Sequence, residues 1–162
     1  MFDFQAVEGS KQEIYDTLIQ QVSVLLEDET DWLANTANTA ALLYHQLSEV
    51  NWAGFYFLHD DALVLGPFQG KPACVRIPIG KGVCGTAAAE RSTQVVKDVN
   101  TFPGHIACDA ASQSEIVVPI VVDDRLIGVL DIDSPVAARF DEVDQAGLEK
   151  MVGILNERTT WP

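Results

Sequence analysis

Apolar residues recur at helical spacing in two stretches at the start of the chain. Residues 11–27 carry Ile14, Leu18, Ile19, Val22, Leu25 and Leu26 on one side of a helix. The acidic run Glu27-Asp28-Glu29-Thr30-Asp31 interrupts that stripe. Residues 32–47 resume it with Leu33, Ala37, Ala40, Ala41, Tyr44 and Leu47. Thr30 or Asp31 can cap this second helix, because a short side-chain oxygen there accepts from free amides of the first turn. From Val50 the texture changes to alternating or continuous apolar runs rich in β-branched and aromatic residues. It predicts strands over 51–58, 62–66, 74–79, 94–98, 115–122 and 125–133. Asp60-Asp61 and Asp123-Asp124 fall between strands at turn spacing, so those strands join as hairpins and the sheet is largely antiparallel. A short helix is expected over 83–91, behind Gly80-Lys81-Gly82, and a last one over roughly 141–158. This order predicts an α+β fold, a central largely antiparallel six-stranded sheet with helices packed on it, as a single domain over residues 1–162.

One segment resists this patterning. Residues 99–114 (VNTFPGHIACDAASQS) are rich in loop formers and long for a connection in a small domain, which suggests a functional loop. It contains Cys108. The chain has three cysteines, Cys74, Cys84 and Cys108, and an odd count without an export signal argues for free thiols over a disulfide framework. Burial in the core is the alternative for each of them.

Composition and charge narrow the function classes. The chain is 48% hydrophobic and 21% charged, which fits a globular protein. A formal net charge of −14 disfavours nucleic acid and anionic lipid as partners, since both call for a basic surface. No apolar run reaches the roughly 20 residues that span a bilayer. Met1-Phe2-Asp3-Phe4 lacks the features of a signal peptide, so the expected location is the cytoplasm. Gly66-Pro67-Phe68-Gln69-Gly70-Lys71-Pro72 has the wrong spacing for a phosphate loop, with proline where Ser or Thr would meet magnesium.

The chemistry-bearing residues concentrate in the strands. Asp131 and Asp133 are two apart in one strand and share a face with Ile127 and Val129. Two carboxylates that close repel, so one holds a proton near neutrality and can donate it. Alternatively the strand ends there and both acids are solvated. Glu115 opens the neighbouring strand and makes a third carboxylate if the faces adjoin. Trp52 and Tyr56 are four apart on one strand face, either as core or as the wall of a pocket. Cys108 has His105 nearby to favour its thiolate, while Asp109 opposes it. Cys74 begins a strand and is placed to meet Cys108; Cys84 sits in the short helix. Zinc held by Cys74, Cys84, His105 and Cys108 is the rival reading, although the spacings match no common zinc module. No metal is expected.

The stretches GPFQGKPACVRIPIGKGVCGTA (66–87), FPGHIACDAASQSEIVVPI (102–120) and GVLDIDSP (128–135) closely resemble the free methionine-(R)-sulfoxide reductases, enzymes on the GAF-type fold. The similarity runs from about Asn51 to the final helix and includes all three cysteines. It implies a GAF-like sandwich in which Cys108 attacks the sulfoxide sulfur and becomes a sulfenic acid as methionine leaves. Cys74 then resolves it as a disulfide that thioredoxin reduces, and Cys84 has a subsidiary or alternative resolving role. Trp52 and Tyr56 correspond to the aromatic wall, and Glu115, Asp131 and Asp133 to the acids that hold the sulfoxide and the ammonium group. No cofactor beyond thioredoxin's reducing equivalents is implied. GAF-type domains often pair through terminal helices, which makes a homodimer the expected assembly. A non-enzymatic GAF module that binds a small ligand, or a thiol redox sensor, are the competing functions.

Overall fold

In the computed structural model, which describes residues 2–162, the two N-terminal helices form as α1 (Lys11–Leu25) and α2 (Trp32–Gln46). Ser10 and Glu13 make a reciprocal capping box at the start of α1, and Asp31 caps α2 by accepting from the Ala34 amide at 2.8 Å. Six strands follow: β1 (Trp52–His59), β2 (Ala62–Gly70), β3 (Arg76–Pro78), β4 (Gln94–Val96), β5 (Ser114–Val122) and β6 (Arg125–Ser134). Helix α3 (Gly82–Glu90) lies between β3 and β4, and α4 (Glu142–Arg158) ends the fold. The sheet order is β3-β2-β1-β6-β5-β4, and every pairing is antiparallel.

The two faces of this sheet bury different things. One carries Phe55, Phe57, Ile116, Val118, Ile120, Leu130 and Ile132 into a large apolar cluster with α1, α2 and α4. The other carries Trp52, Tyr56, Val117 and Val129 into a smaller cluster with α3, including Val83, Cys84, Ala87 and Ala88. The first face supplies most of the apolar burial, leaving the second free to carry charge.

Three local expectations are corrected. Ile127 does not share a face with Val129: it joins the helix-side cluster while Leu126 packs on the opposite side. The register jumps there, with Ile120 opposite Gly128 and Val121 opposite Leu126, so Ile127 is the extra residue of a bulge that inverts the alternation. Strand β2 runs to Gly70 rather than ending near residue 66, because the Gly66-Pro67 pair sits in a second register shift. Past Leu65, whose amide donates to the Val75 carbonyl at 2.9 Å, β2 has no strand partner on its other side, so a proline without an amide hydrogen is tolerated. Cys74 lies in the connection before the three-residue β3, not in the strand itself. Among the described residues no helix is long and apolar enough to cross a membrane.

One buried charge cluster ties the helical layer together. Asp144, fully buried in the first turn of α4, accepts from Tyr15 Oη at 2.8 Å, Lys11 Nζ at 2.6 Å and Arg139 Nη1 at 3.1 Å. It thereby joins α1, α4 and the connection after β6. Burial raises the Tyr15 pKa, and the Asp144 charge beside it adds to the shift. Lys11 is raised as well: partial desolvation opposes its charge, but hydrogen bonds to Asp144 and Asp141 outweigh it. Asp144→Ala should lower the unfolding free energy by about 3–5 kcal/mol, because it strands two cations and a phenol at a buried seam. Urea unfolding checks this. A loss below about 1 kcal/mol would mean that the cations escape to water at little cost.

Candidate active site

Cross-strand register gathers the acidic residues. Glu115 on β5 stands opposite Asp133 on β6, and Val117 stands opposite Asp131. On the other side of β6, Asp133 is opposite Trp52 and Asp131 opposite Gly54. Directly opposed side chains share a face, so Trp52, Tyr56, Glu115, Asp131 and Asp133 all project to the α3 side. They line one cavity together with Cys84, His105, Cys108 and Asp109. Glu115 and Asp131, each only 6% exposed, are therefore not solvated strand ends, and Asp133 beside them is half-buried.

Aromatic rings make the opposite wall. Trp52 stacks on Tyr56 with ring centroids 5.9 Å apart and on Phe68 at 5.2 Å. Gly54 makes this possible, since a Cβ there would lie 2.8 Å from the Trp52 ring and 2.9 Å from the Phe68 backbone. The polar tips of the two rings hold the neighbouring loop. Trp52 Nε1 donates to the Lys71 carbonyl at 3.1 Å, and Tyr56 Oη donates to the Cys74 carbonyl at 2.9 Å. The wall of the pocket is thus also the anchor of the segment bearing Cys74.

Burial controls the protons. Desolvation raises Glu115 well above the ordinary carboxyl range, and repulsion from Asp131 and Asp133 pushes it further. Asp133 is raised in the same way, by burial first and then by Asp131 and Asp109. Burial lifts Asp131 to about 6, with hydrogen bonds from Glu115 and Cys84 working in the other direction. At neutral pH the trio therefore retains protons, shared rather than owned by one residue. Cys84 lies with its sulfur 3.9 Å from Glu115 Oε1, and burial followed by the nearby carboxylates keeps it a protonated thiol. His105 does not supply the positive charge that its position in the sequence allowed. Its Nε2 is 3.8 Å from Glu115 Oε2, and burial lowers its pKa.

Cys108 and Cys74 are joined in a disulfide, with Cα atoms 5.7 Å apart. The tetrad considered for zinc is accordingly not assembled, since two of its thiols are consumed and Cys84 faces the carboxyls. Among the described residues, the group with ligand atoms within 4.8 Å of one another is Cys84, Glu115 and Asp131. Cys108 lines the cavity whereas Cys74 does not. With the disulfide closed, this partly open cavity has a volume of about 30 Å³, room for one or two water molecules.

The hold on the loop that bears Cys108 was not read from the sequence. Asn51, just before β1, donates from Nδ2 to Asp109 Oδ2 and to Ser112 Oγ, both at 3.2 Å. The backbone amide of Ala111 also caps the Asp109 carboxylate and lowers its pKa, against a smaller opposing effect of burial. Asp109 therefore anchors the loop through its negative charge. An Asp beside a Cys in a loop-forming stretch was the available signal.

An antiparallel six-stranded sheet flanked by helices, with a disulfide-bonded thiol pair over a carboxyl trio whose pKa values are raised, has the make-up of a thiol oxidoreductase built on a small-ligand-binding domain. The model of the GAF domain matches residues 28–155. Protein YtsP of Bacillus subtilis is 59% identical over 97% of this chain and 98% of its own length. Free methionine-R-sulfoxide reductase of Escherichia coli is 57% identical over 91% of this chain and 90% of its own. The structure of free methionine-R-sulfoxide reductase from Neisseria meningitidis in complex with its substrate superposes with a TM-score of 0.94 at 48% identity, covering 98% of this chain and 95% of that one. The chain belongs to the free methionine-R-sulfoxide reductase family of GAF-domain proteins.

Proposed function

We propose that this protein, as one catalytic domain, reduces free L-methionine-(R)-sulfoxide to methionine with electrons from thioredoxin. The observation that carries this reading is the Cys74–Cys108 disulfide closed over a cavity into which Glu115, Asp131 and Asp133 project. A sulfoxide sulfur is a poor electrophile until its oxygen is protonated, and the trio holds the proton at neutral pH. The Cys108 thiolate attacks that sulfur, the oxygen ends on Cys108 as a sulfenic acid, and methionine leaves. The Cys74 thiol then displaces the sulfenic oxygen as water and forms the disulfide. Thioredoxin returns both sulfurs to thiols, so no bound cofactor enters the cycle.

The carboxyl trio also supports the choice of a free amino acid. Charge left on the trio attracts an ammonium group, and the Trp52–Tyr56 wall suits a methyl and methylene chain. A peptide presents an uncharged amide nitrogen and a chain that a small cavity excludes. The test is an epimer-resolved assay with thioredoxin and thioredoxin reductase. Free (R)-sulfoxide should be consumed, the free (S) epimer should not, and N-acetylation should lower kcat/KM at least about 100-fold. Equal turnover of free and acetylated substrate would refute the assigned ammonium recognition. No turnover of any epimer would refute the reductase reading.

A further inference from the structure

The disulfide has two distinguishable sides. Cys108 belongs to the cavity wall beside Tyr56, Glu115 and Asp131, whereas Cys74 does not line that cavity. Thiol–disulfide exchange requires the attacking sulfur to approach roughly along the S–S axis, opposite the sulfur that leaves. A nucleophile aimed at Cys108 would have to traverse a cavity of about 30 Å³. It would also pass the carboxyl trio, whose remaining negative charge repels a thiolate. Cys74, half-buried like Cys108 but outside that lining, is approached without crossing the carboxyl trio.

The surface around Cys74 departs from the rest of this acidic chain. Although the net charge is −14, residues 62–89 contain no Asp or Glu while carrying Lys71, Arg76 and Lys81. All three cations are exposed, and Val75, next to Cys74, is a large apolar side chain with 63% of its surface in water. Asp109, which follows Cys108 in the chain, feels the charge of Lys71 and accepts a hydrogen bond from Asn51. An exposed apolar residue followed directly by the exposed cation Arg76, beside a disulfide sulfur, has the character of a transient interface, in which rim charges steer encounter.

We propose that the surface formed by Val75, Arg76 and Lys81 around Cys74 docks a protein dithiol with an acidic rim, and that this partner's thiolate attacks Cys74, not Cys108. This rests on the reductase reading above and adds where and how the reductant engages. The bond between the partner's sulfur and Cys74 forms as the Cys74–Cys108 bond breaks, and Cys108 leaves into the cavity as a thiolate. The partner's second thiol, deprotonated, then attacks its own mixed-disulfide sulfur and releases Cys74. Two electrons and two protons pass from the partner dithiol to the pair. The local positive charge has a clear purpose here: without it, two acidic proteins would repel at low ionic strength.

Thioredoxin is the probe. A thioredoxin with its second cysteine replaced by Ser should stall as a mixed disulfide with the oxidised protein, and peptide mapping should place the link at Cys74. The double variant Arg76→Glu, Lys81→Glu should raise KM for thioredoxin roughly tenfold and flatten its salt dependence. Recycling by dithiothreitol should not change, which also shows that the variant is folded. A link mapped to Cys108, or a KM unaltered by the charge reversal, overturns the proposal. The reductase reading is read separately, from one equivalent of methionine released by pre-reduced wild-type protein without thioredoxin. Mixed-disulfide mapping does not depend on that result.

Discussion

Cys108→Ser should abolish thioredoxin-linked turnover, with a fall of at least about 10⁴-fold, the scale seen when an enzyme loses its nucleophile. A serine hydroxyl at this position has no base to activate it: His105 is turned to Glu115, and the surrounding carboxyls hold protons rather than taking them. Cys84 is no substitute, because burial and neighbouring carboxylates keep its thiol protonated. Cys74→Ser should behave differently. Pre-reduced, it should release one equivalent of methionine and stop, leaving an oxidised Cys108 that dithiothreitol rescues and thioredoxin does not. Mass spectrometry of the stalled protein reads the added oxygen directly. Turnover of Cys108→Ser above about one per cent of wild type would remove Cys108 as nucleophile, whatever the variant at position 74 does.

The contrast between the two cysteines shows what the sequence made legible. Strand alternation alone placed Trp52 with Tyr56 and Asp131 with Asp133, because a period of two is enforced by the backbone and needs no knowledge of partners. It did not place Glu115 opposite Asp133, since the β5–β6 hairpin shifts register between Ile120 and Val121 and counting back from the turn pairs Glu115 with Ile132 instead. The bulge at Ile127 was equally hidden: the segment RLIGVLDID alternates without visible interruption, and the extra residue is dictated by the pairing with β5. The motifs that resemble the reductases supplied the Cys74–Cys108 pairing, which periodicity cannot give. The anchoring of the loop by Asn51 stayed out of sight because its partners, Asp109 and Ser112, are about 60 residues away and are brought together only by folding.

These observations share one physical basis. The helix-side cluster, with Phe55, Leu130 and Ile132 fully buried, carries the burden of stability. The opposite face can therefore tolerate carboxyls that would otherwise be among the costliest groups to bury. Their cost is limited by protonation, and the same protonation gives the site its chemistry. Stability and activity should consequently respond in opposite directions when a carboxyl is removed.

Glu115→Gln is the sharpest test of that coupling. Glu115 touches Cys84, neighbours His105 and is raised by both aspartates, so it is the centre of the proton store. Its replacement should lower kcat/KM for the free (R)-sulfoxide by about 10²–10⁴-fold, the usual worth of a positioned acid. In the wild type, activity should decline as pH rises through the raised pKa values of the trio, among which that of Asp131 is about 6. The stability effect has a definite sign. A carboxyl whose pKa is higher folded than unfolded binds more protons in the native state, so its contribution is intact below about pH 4 and is lost as pH rises through the folded value. The variant lacks this penalty and should melt at a higher temperature than wild type at pH 8, with the gap closing near pH 4. Thermal unfolding at both pH values, together with the pH profile of kcat/KM, decides the matter. A variant that is both inactive and less stable at pH 8 would show that Glu115 is a structural ion-pair partner, and that the proton comes from elsewhere.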